Sequence, residues 1–438
     1  MGALWTGQRS AEKEGYALPD SLWAASASAA PATPPLAADT VADVLIIGAG
    51  FTGLCAAIQL AEAGWSCIVV DAAEPGWGAS GRNNGQVIAG LKQDPEVIEQ
   101  AFAGAVGRRL VAFGGDAPAK VWALVERYRI ACSAKRSGWI QPACTRSGLA
   151  AVQRRHAAWR ERGVEARLLD AADLQASLGT SKYTVGWYDP RGGSLQPLDY
   201  VRGLARVALG LGVRIHAQAH ARALQRRDGR WQAGVGEHLV RAQRVIVATG
   251  AYADDLVPGL NKSFVPVRTA QIASEPLSEE QRAHILPGGQ VCSDTRQLLT
   301  SFRLSPDGRL VMGGAGATAG PSHRAIVPYL QRAGTELFAH LGPLRWAYQW
   351  SGCFAVTTDH LPHVHEPQPG LHIAVGCNGR GIAVSTALGM CLAERVLGAP
   401  AHDLAVPVTS IHAVPLHPFH RLGVKLATTC KRWQDRMQ

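Results

Sequence analysis

The sequence predicts an α/β protein, α+β in its two-domain arrangement. A Rossmann-like domain for a dinucleotide, discontinuous along the chain, carries an inserted mixed or antiparallel β-sheet domain for the substrate. Three observations predict it. An apolar strand, a Gly turn and a helix open the folded part; apolar strands of the same kind return at Val245–Ala248 and Leu371–Val375; and short strands separated by turn residues lie between them. A length of 438 residues suits two domains.

Residues 24–38 are mainly Ala, Ser and Pro and read as an extended segment, so the folded part is expected to begin near Val41. From there the pattern gives a strand (Val41–Ile47), a helix (about Gly53–Ala63) and a second strand (Cys67–Asp71), together one βαβ unit. A Gly-rich loop (76–90) follows, then helical patterns over 94–130 and a strand candidate at Gly138–Ala143. A helix (198–211), a strand at Val213–His216, a hairpin centred on Asp228-Gly229 and the strand Val245–Ala248 resume the first fold. Between 263 and 345 come strands, turns at Pro306-Asp307-Gly308 and Gly313–Gly316, and a helix near 325–340. The expected division is an N-terminal extension (1–40), a dinucleotide domain (41–134, 193–262 and 347–438) and a substrate domain (135–192 and 263–346).

Composition excludes several classes. Hydrophobic residues at 47% against 18% charged exclude disorder over most of the chain. The absence of a long uninterrupted apolar run predicts no integral membrane segment, and the opening residues carry no export signal, which makes a cytoplasmic location the expectation. Met1, Gly2 and Thr6 fit the short myristoylation template, which matches often by chance. Lys+Arg 44 against Asp+Glu 34 gives a net charge of +10, but the basic residues are scattered, with the densest stretch in the tail His417–Arg436, so no nucleic-acid partner is expected. Nine cysteines without a CxxC pair argue against a disulfide framework, a redox dithiol or a zinc site, and no metal is expected.

The chemistry begins at Gly48-Ala49-Gly50-Phe51-Thr52-Gly53, directly after a strand and opening a helix. Gly48 permits the tight turn, Gly50 lets a pyrophosphate approach the backbone, and Gly53 lets helix and strand pack closely, with phosphates on the helix N-terminus. Asp71, at the end of the second strand, is placed to accept hydrogen bonds from ribose hydroxyls. An adenine dinucleotide follows. The loop Gly76-Trp77-Gly78-Ala79-Ser80-Gly81-Arg82-Asn83-Asn84-Gly85-Gln86 is rich in small and amide residues, which suits a flavin's ribityl chain and ring better than a simple nicotinamide site. Thr249 and Gly250, after an apolar strand, leave room for a cofactor to pass. The segment from Ile373 through Asn378, Gly379, Arg380, Gly381 and Ile382 runs from strand through a Gly turn into a helix, whose N-terminus, with Arg380, would favour negative charge on a reduced flavin. Gly313–Gly316 is not followed by a second dinucleotide pattern.

Taken together, GAGFTG, GASGRNNGQ, ATGAYA, WSGCFAVTTDHLP and GCNGRGIAVSTALG resemble the D-amino-acid oxidase-like flavoproteins and, among their branches, the gamma-glutamylputrescine oxidases. The resemblance covers roughly residues 21–436. It implies FAD held noncovalently, a mixed sheet roofing the flavin, and oxidation of a C–N bond in a small-molecule amine or amino acid, with oxygen or another electron acceptor reoxidising the flavin. By motif position, Gly48, Gly50, Phe51, Thr52, Gly53 and Asp71 would hold the adenosine diphosphate. Ala79, Ser80, Arg82, Asn83, Asn84, Gly85 and Gln86 would lie along the pyrophosphate-to-ring region, Ala221 near adenine, Thr249 and Gly250 along the cofactor's path, and Asn378 to Ile382 at the pyrimidine edge. Two departures matter. Sarcosine-oxidising relatives place a Lys where this chain has Ala383, and a flavin-linking Cys one residue away from Cys353.

The implied reaction is hydride transfer from the carbon beside a neutral amine to flavin N5, then hydrolysis of the imine. No acid–base side chain is strictly required, so no catalytic residue is assigned; Arg268, Trp350, Thr358 and His360 are the substrate-side candidates. His360, His363 and His365 lie in a turn-rich stretch without a matched carboxylate cluster, which reads as surface rather than metal site. Two alternatives are a tRNA-modifying flavoprotein of the same fold and an NAD(P)H-using flavin monooxygenase.

Overall fold

Val44, Leu45, Ile46 and Ile47 are all buried, as a strand covered on both faces requires, and the strand Thr40–Ile47 runs through the middle of a sheet that has nine strands among the described residues. A computed structural model describes residues 16–296, 298–315 and 326–419. Gly316, most of the basic tail, and Met1, Gly2 and Thr6 lie outside the described residues. On one side of Thr40–Ile47 the parallel strands Cys67–Val70 and then Arg214–His216 follow; on the other lie His238–Val247 and Leu371–Val375, also parallel. The antiparallel strand His363–Gln368 and the short Val408–Thr409 complete that edge, while Ala221–Arg227 and Arg230–Val235 form a hairpin off His238–Val247. The helices Phe51–Glu62, Pro197–Gly210 and Gly381–Val396 share a core with one face of this sheet.

Among the described residues a second sheet of eight strands runs in the order Trp346–Val356, Val265–Pro276, Arg309–Ala315, Thr300–Leu304, Val291–Ser293, Trp139–Pro142, Gly186–Asp189, Arg167–Leu169. Its neighbours are antiparallel except Val291–Ser293 against Trp139–Pro142. Ala270, Ile272, Phe302 and Met312 pack on one face of it with the helix Val327–Leu337. The chain from 347 onward, expected in the nucleotide domain, begins instead with Trp346–Val356, which pairs with Val265–Pro276 from Val265 opposite Val356 to Ser274 opposite Trp346. An apolar run announces a buried strand but not which sheet it joins, so the return to the first sheet comes only at His363.

The N-terminal extension also departs from expectation. Residues 22–26 form a one-turn helix, Leu22–Ser26, capped by the Ser21 hydroxyl, which accepts from the Ala24 amide at 3.1 Å. Trp23 is fully buried, its indole N–H donating to the Asn83 carbonyl at 2.8 Å and its ring meeting Trp350 edge to face at 5.8 Å. The small-residue segment after it is extended, yet pinned by the Ser28 amide donating to Asp199 at 2.8 Å and by a bond between the His216 ring and the Pro34 carbonyl at 3.0 Å. The fold therefore starts some twenty residues before Val41. Trp23→Ala is expected to cost about 3–5 kcal/mol, the usual range for emptying a buried aromatic site, read as a lowered melting temperature.

Candidate functional site

In an open α/β sheet the ligand crevice lies past the carboxyl ends of the strands, beside the strand where the connections reverse direction. Here Ile47, Val70, Ala248 and Val375, at the ends of four neighbouring parallel strands, all line one cavity of about 1340 Å³, a volume that includes its open mouth. The helix Phe51–Glu62 opens onto it, so backbone N–H groups without helical partners and the positive end of the helix dipole face the space. Gly48 holds φ +111°, and an added Cβ there would stand 2.7 Å from the Ala248 carbonyl oxygen. Gly53 does not touch the cavity; it packs beneath the turn, where a Cβ would come within 1.9 Å of the Gly48 carbonyl oxygen.

Asp71 closes the far end. One carboxylate oxygen accepts from the Ala49 amide at 2.7 Å and the other from Ala73 at 2.9 Å. Burial pushes its pKa up to about 6, while the two amides and His220 pull the other way. His220 is itself held by Asp254 at 3.0 Å, and Ala221 lies beside it on the cavity wall. Thr249, Gly250 and Tyr252 form another side. Trp77 packs edge to face on Tyr252 at 5.4 Å and on Tyr16 at 5.8 Å, a short aromatic row along the cavity.

A second cavity, of about 860 Å³, shares Phe51, Ala79, Ser80, Cys353, Phe354, Cys377 and Ser385 with the first, so the two are continuous. Its roof comes from the second sheet: Thr269 and Gln271 from Val265–Pro276, Ser301 from Thr300–Leu304, and Gly314. Arg82, Asn83 and Asn84 enter from the loop, and Gly379 and Gly381 from the start of the last long helix. The Arg82 guanidinium lies over the Trp77 ring at 4.3 Å and donates Nε–H to the Trp77 carbonyl at 2.6 Å. Asn84 donates to the Gln271 side-chain oxygen at 2.8 Å. The Cys353 thiol is raised by burial, with the guanidinium groups of Arg268 and Arg82 acting against that shift.

The remaining sequence candidates separate. Gly85 and Gln86 line neither cavity: the Gly85 carbonyl accepts from Arg303, and the Gln86 amide donates to the Cys292 carbonyl at 2.9 Å. Asn378, at φ +49°, staples its turn by accepting from the Thr357 amide at 3.0 Å and donating to the Gly376 carbonyl at 2.7 Å. Ile382 is core, and Arg380 turns to the Trp139 ring at 4.8 Å. None of the four substrate-side candidates lines the second cavity. Trp350 is buried, with its N–H donated to the Arg82 carbonyl at 3.0 Å, and is packing. Arg268 sits opposite Cys353 in the strand register and donates to the Ser351 hydroxyl at 2.9 Å. Thr358 and His360 are on an exposed turn, one and three residues past the buried Thr357. Sequence reasoning missed Thr269, Gln271 and Ser301. Their signal was period-two alternation: these polar residues interleave with Ala270, Ile272 and Phe302, which fill the opposite face.

The residues fit a flavin dinucleotide. Arg82 Nη2, Asn84 Oδ1 and His220 Nδ1 are buried and have no protein partner, and all three belong to residues along the joined cavities. At Gly50 a Cβ would meet the Ser80 hydroxyl at 2.9 Å, in space the backbone leaves free beside the helix start.

Comparison with known proteins agrees. Residues 43–395 match the family described as DAO, FAD dependent oxidoreductase. Gamma-glutamylputrescine oxidoreductase of Escherichia coli is 30% identical over 385 residues, covering 86% of this chain and 89% of the relative. A probable oxidoreductase, OrdL, of Haemophilus influenzae is 31% identical over 382 residues, covering 83% of this chain and 85% of the relative. The crystal structure of glycine oxidase from Geobacillus kaustophilus superposes with a TM-score of 0.68 at 21% identity, covering 81% of this chain and 95% of that one, a likeness of fold. With its cofactor channel formed at the strand ends and most of its length matched, this chain belongs to the FAD-dependent oxidoreductases of the DAO family.

Proposed function

We propose that the protein oxidises the C–N bond of a small amine or amino acid bound in the second cavity as the neutral amine, giving an imine that water hydrolyses. The observation that carries this reading is the cavity's lining. It is continuous with the cofactor channel, and among the described residues its one charged side chain is Arg82 and no Asp or Glu lines it. A site without a carboxylate does not stabilise an ammonium ion in a low-dielectric space, so it favours the deprotonated amine, whose lone pair is what expels hydride from the neighbouring carbon. FAD, when bound, supplies the hydride acceptor. The chain's own residues bind and orient. Gln271 and Asn84, locked to each other, and the hydroxyl-bearing Thr269 and Ser301 offer uncharged hydrogen-bonding groups on the roof. Leu299 and Phe354 supply apolar wall that keeps bulk water from the reacting carbon. The named activity of the Escherichia coli relative supports an amine as substrate class. We further propose that FAD is held without a covalent bond, since burial keeps the Cys353 thiol protonated.

The test is an anaerobic titration. Polyamines, their gamma-glutamyl derivatives, cyclic imino acids and D- and L-amino acids are added to the oxidised holoprotein, and flavin bleaching is followed. One class is expected to bleach it, faster as pH rises toward the amine's own pKa, with peroxide on admitting air if oxygen is the acceptor. Bleaching by NADPH and by no amine would replace this reading with a monooxygenase.

A further inference from the structure

A third cavity, of about 800 Å³, lies where the short strand Gly193–Ser194 meets the turns at 286–289 and 304–308. Its polar side chains are Ser133, Lys135, Ser194, Arg282, Arg303 and Ser305, with the backbone of Gly288 and Gly289 among its other walls. Three of those side chains are cationic, and among the described residues no Asp or Glu lines the space. The nearby acids are committed or distant. Asp307 accepts from the Ser305 hydroxyl and from Arg309, both at 2.6 Å. Glu279 meets Arg282 only at 3.9 Å, from a side chain that is 96% exposed. Among the described residues Lys135 has no ion pair.

Arg303 forms the base. It is 2% exposed, with its guanidinium 5.5 Å from the Trp23 ring. It donates Nη1–H to the carbonyls of Gly85 at 2.9 Å and Leu195 at 2.6 Å, and Nε–H to the Leu304 carbonyl at 3.1 Å. Its partners are three carbonyls and no carboxylate; among the described residues nothing accepts from Nη2. Burial without a counter-ion lowers its pKa to about 9, the cost expected of a desolvated, unpaired cation. Arg282 adds a second donor, a buried Nε with no partner.

We propose that this cavity is a second ligand site, for a small molecule bearing a carboxylate or phosphate oxyanion, seated on the free edge of Arg303 and closed over by Lys135 and Arg282. The planar guanidinium matches either oxyanion. The other edge of Arg303 grips Gly85 in the flavin loop, so an occupant stiffens that loop and stabilises the holoprotein without entering the substrate cavity.

The test uses holoprotein melting at constant ionic strength, with inorganic phosphate, malonate or glutarate replacing chloride. A saturable rise is expected with phosphate or with a dicarboxylate, and which of them acts identifies the oxyanion. In Lys135→Ala and Arg282→Ala the half-saturating concentration should rise about tenfold, the usual scale for one charge-assisted contact, with amine-dependent bleaching unchanged. No saturable rise with any of the three, or an equal rise in both variants as a general salt effect gives, would overturn the proposal.

Discussion

Gly53→Ala is expected to yield a protein that either fails to fold or purifies without flavin. Its Cβ would stand 1.9 Å from the Gly48 carbonyl oxygen and 3.2 Å from Ile46 Cγ2. The first neighbour is backbone of the turn that aims the helix N-terminus into the channel, so relief requires the helix to lift off the strand. Overpacking of this kind costs typically 1–3 kcal/mol and more where backbone must move, so a loss of about 3 kcal/mol or more is expected. Gly50→Ala is the control. There the clash, at 2.9 Å, is with the Ser80 hydroxyl, a side chain that can swing. That hydroxyl accepts from the Phe51 amide at 3.0 Å, so its displacement and the lost space should weaken FAD binding while the fold survives. Melting temperature and FAD-to-protein ratio separate the two. A Gly53→Ala protein as yellow and as stable as the parent would contradict the assignment.

Asp71→Asn is expected to weaken FAD binding strongly and to remove its pH dependence. Before the cofactor binds, the Asp71 pKa is about 6, raised by burial. Ribose hydroxyls donating to the carboxylate favour its charged form and lower that pKa. Binding then releases a proton below about pH 6, so affinity rises with pH through that range and levels off above it. The same raised pKa acts on the stability of the cofactor-free protein in the opposite sense. The native state holds its proton more tightly than the unfolded chain, whose Asp titrates near 3.8. Stability therefore falls as pH rises from about 4 to 6, then stays level. Losing a charged acceptor from two or more hydrogen bonds typically costs about 1.5–3 kcal/mol per bond, so affinity should drop by about a hundredfold or more. FAD titrations from pH 5 to 8, with the two proteins in parallel, read both effects; a parallel pH slope in Asp71→Asn would exclude Asp71 as its source.

The nucleotide half was legible because its chemistry constrains the backbone. Gly48 and Gly53 are required by turn and packing, and Gly50 and Asp71 line the cavity at the strand ends, all within one local βαβ unit. The substrate side is assembled from strands far apart in sequence, and period-two alternation gives the polar face of a strand but not which residues on that face reach the cavity. Trp350 and Gln271 pair across Val265–Pro276 and Trp346–Val356, yet Gln271 reaches the cavity and Trp350 packs on Trp23. Thr357 and Thr358 are adjacent and chemically alike, and the turn buries the first and exposes the second. Cys353, weighed for its chemistry, does line both cavities. The buried start of the chain was hidden by its neighbours: a run of Ala, Ser and Pro masks the two large side chains, Leu22 and Trp23, that anchor it.

The channel past the strand ends is proposed to hold FAD along its length. The most direct measurement is the visible spectrum of the purified protein, followed by acid precipitation and identification of the released cofactor. The purified protein is expected to be yellow and to release FAD, about one per chain, into the supernatant. A colourless protein that takes up no FAD on reconstitution would contradict it.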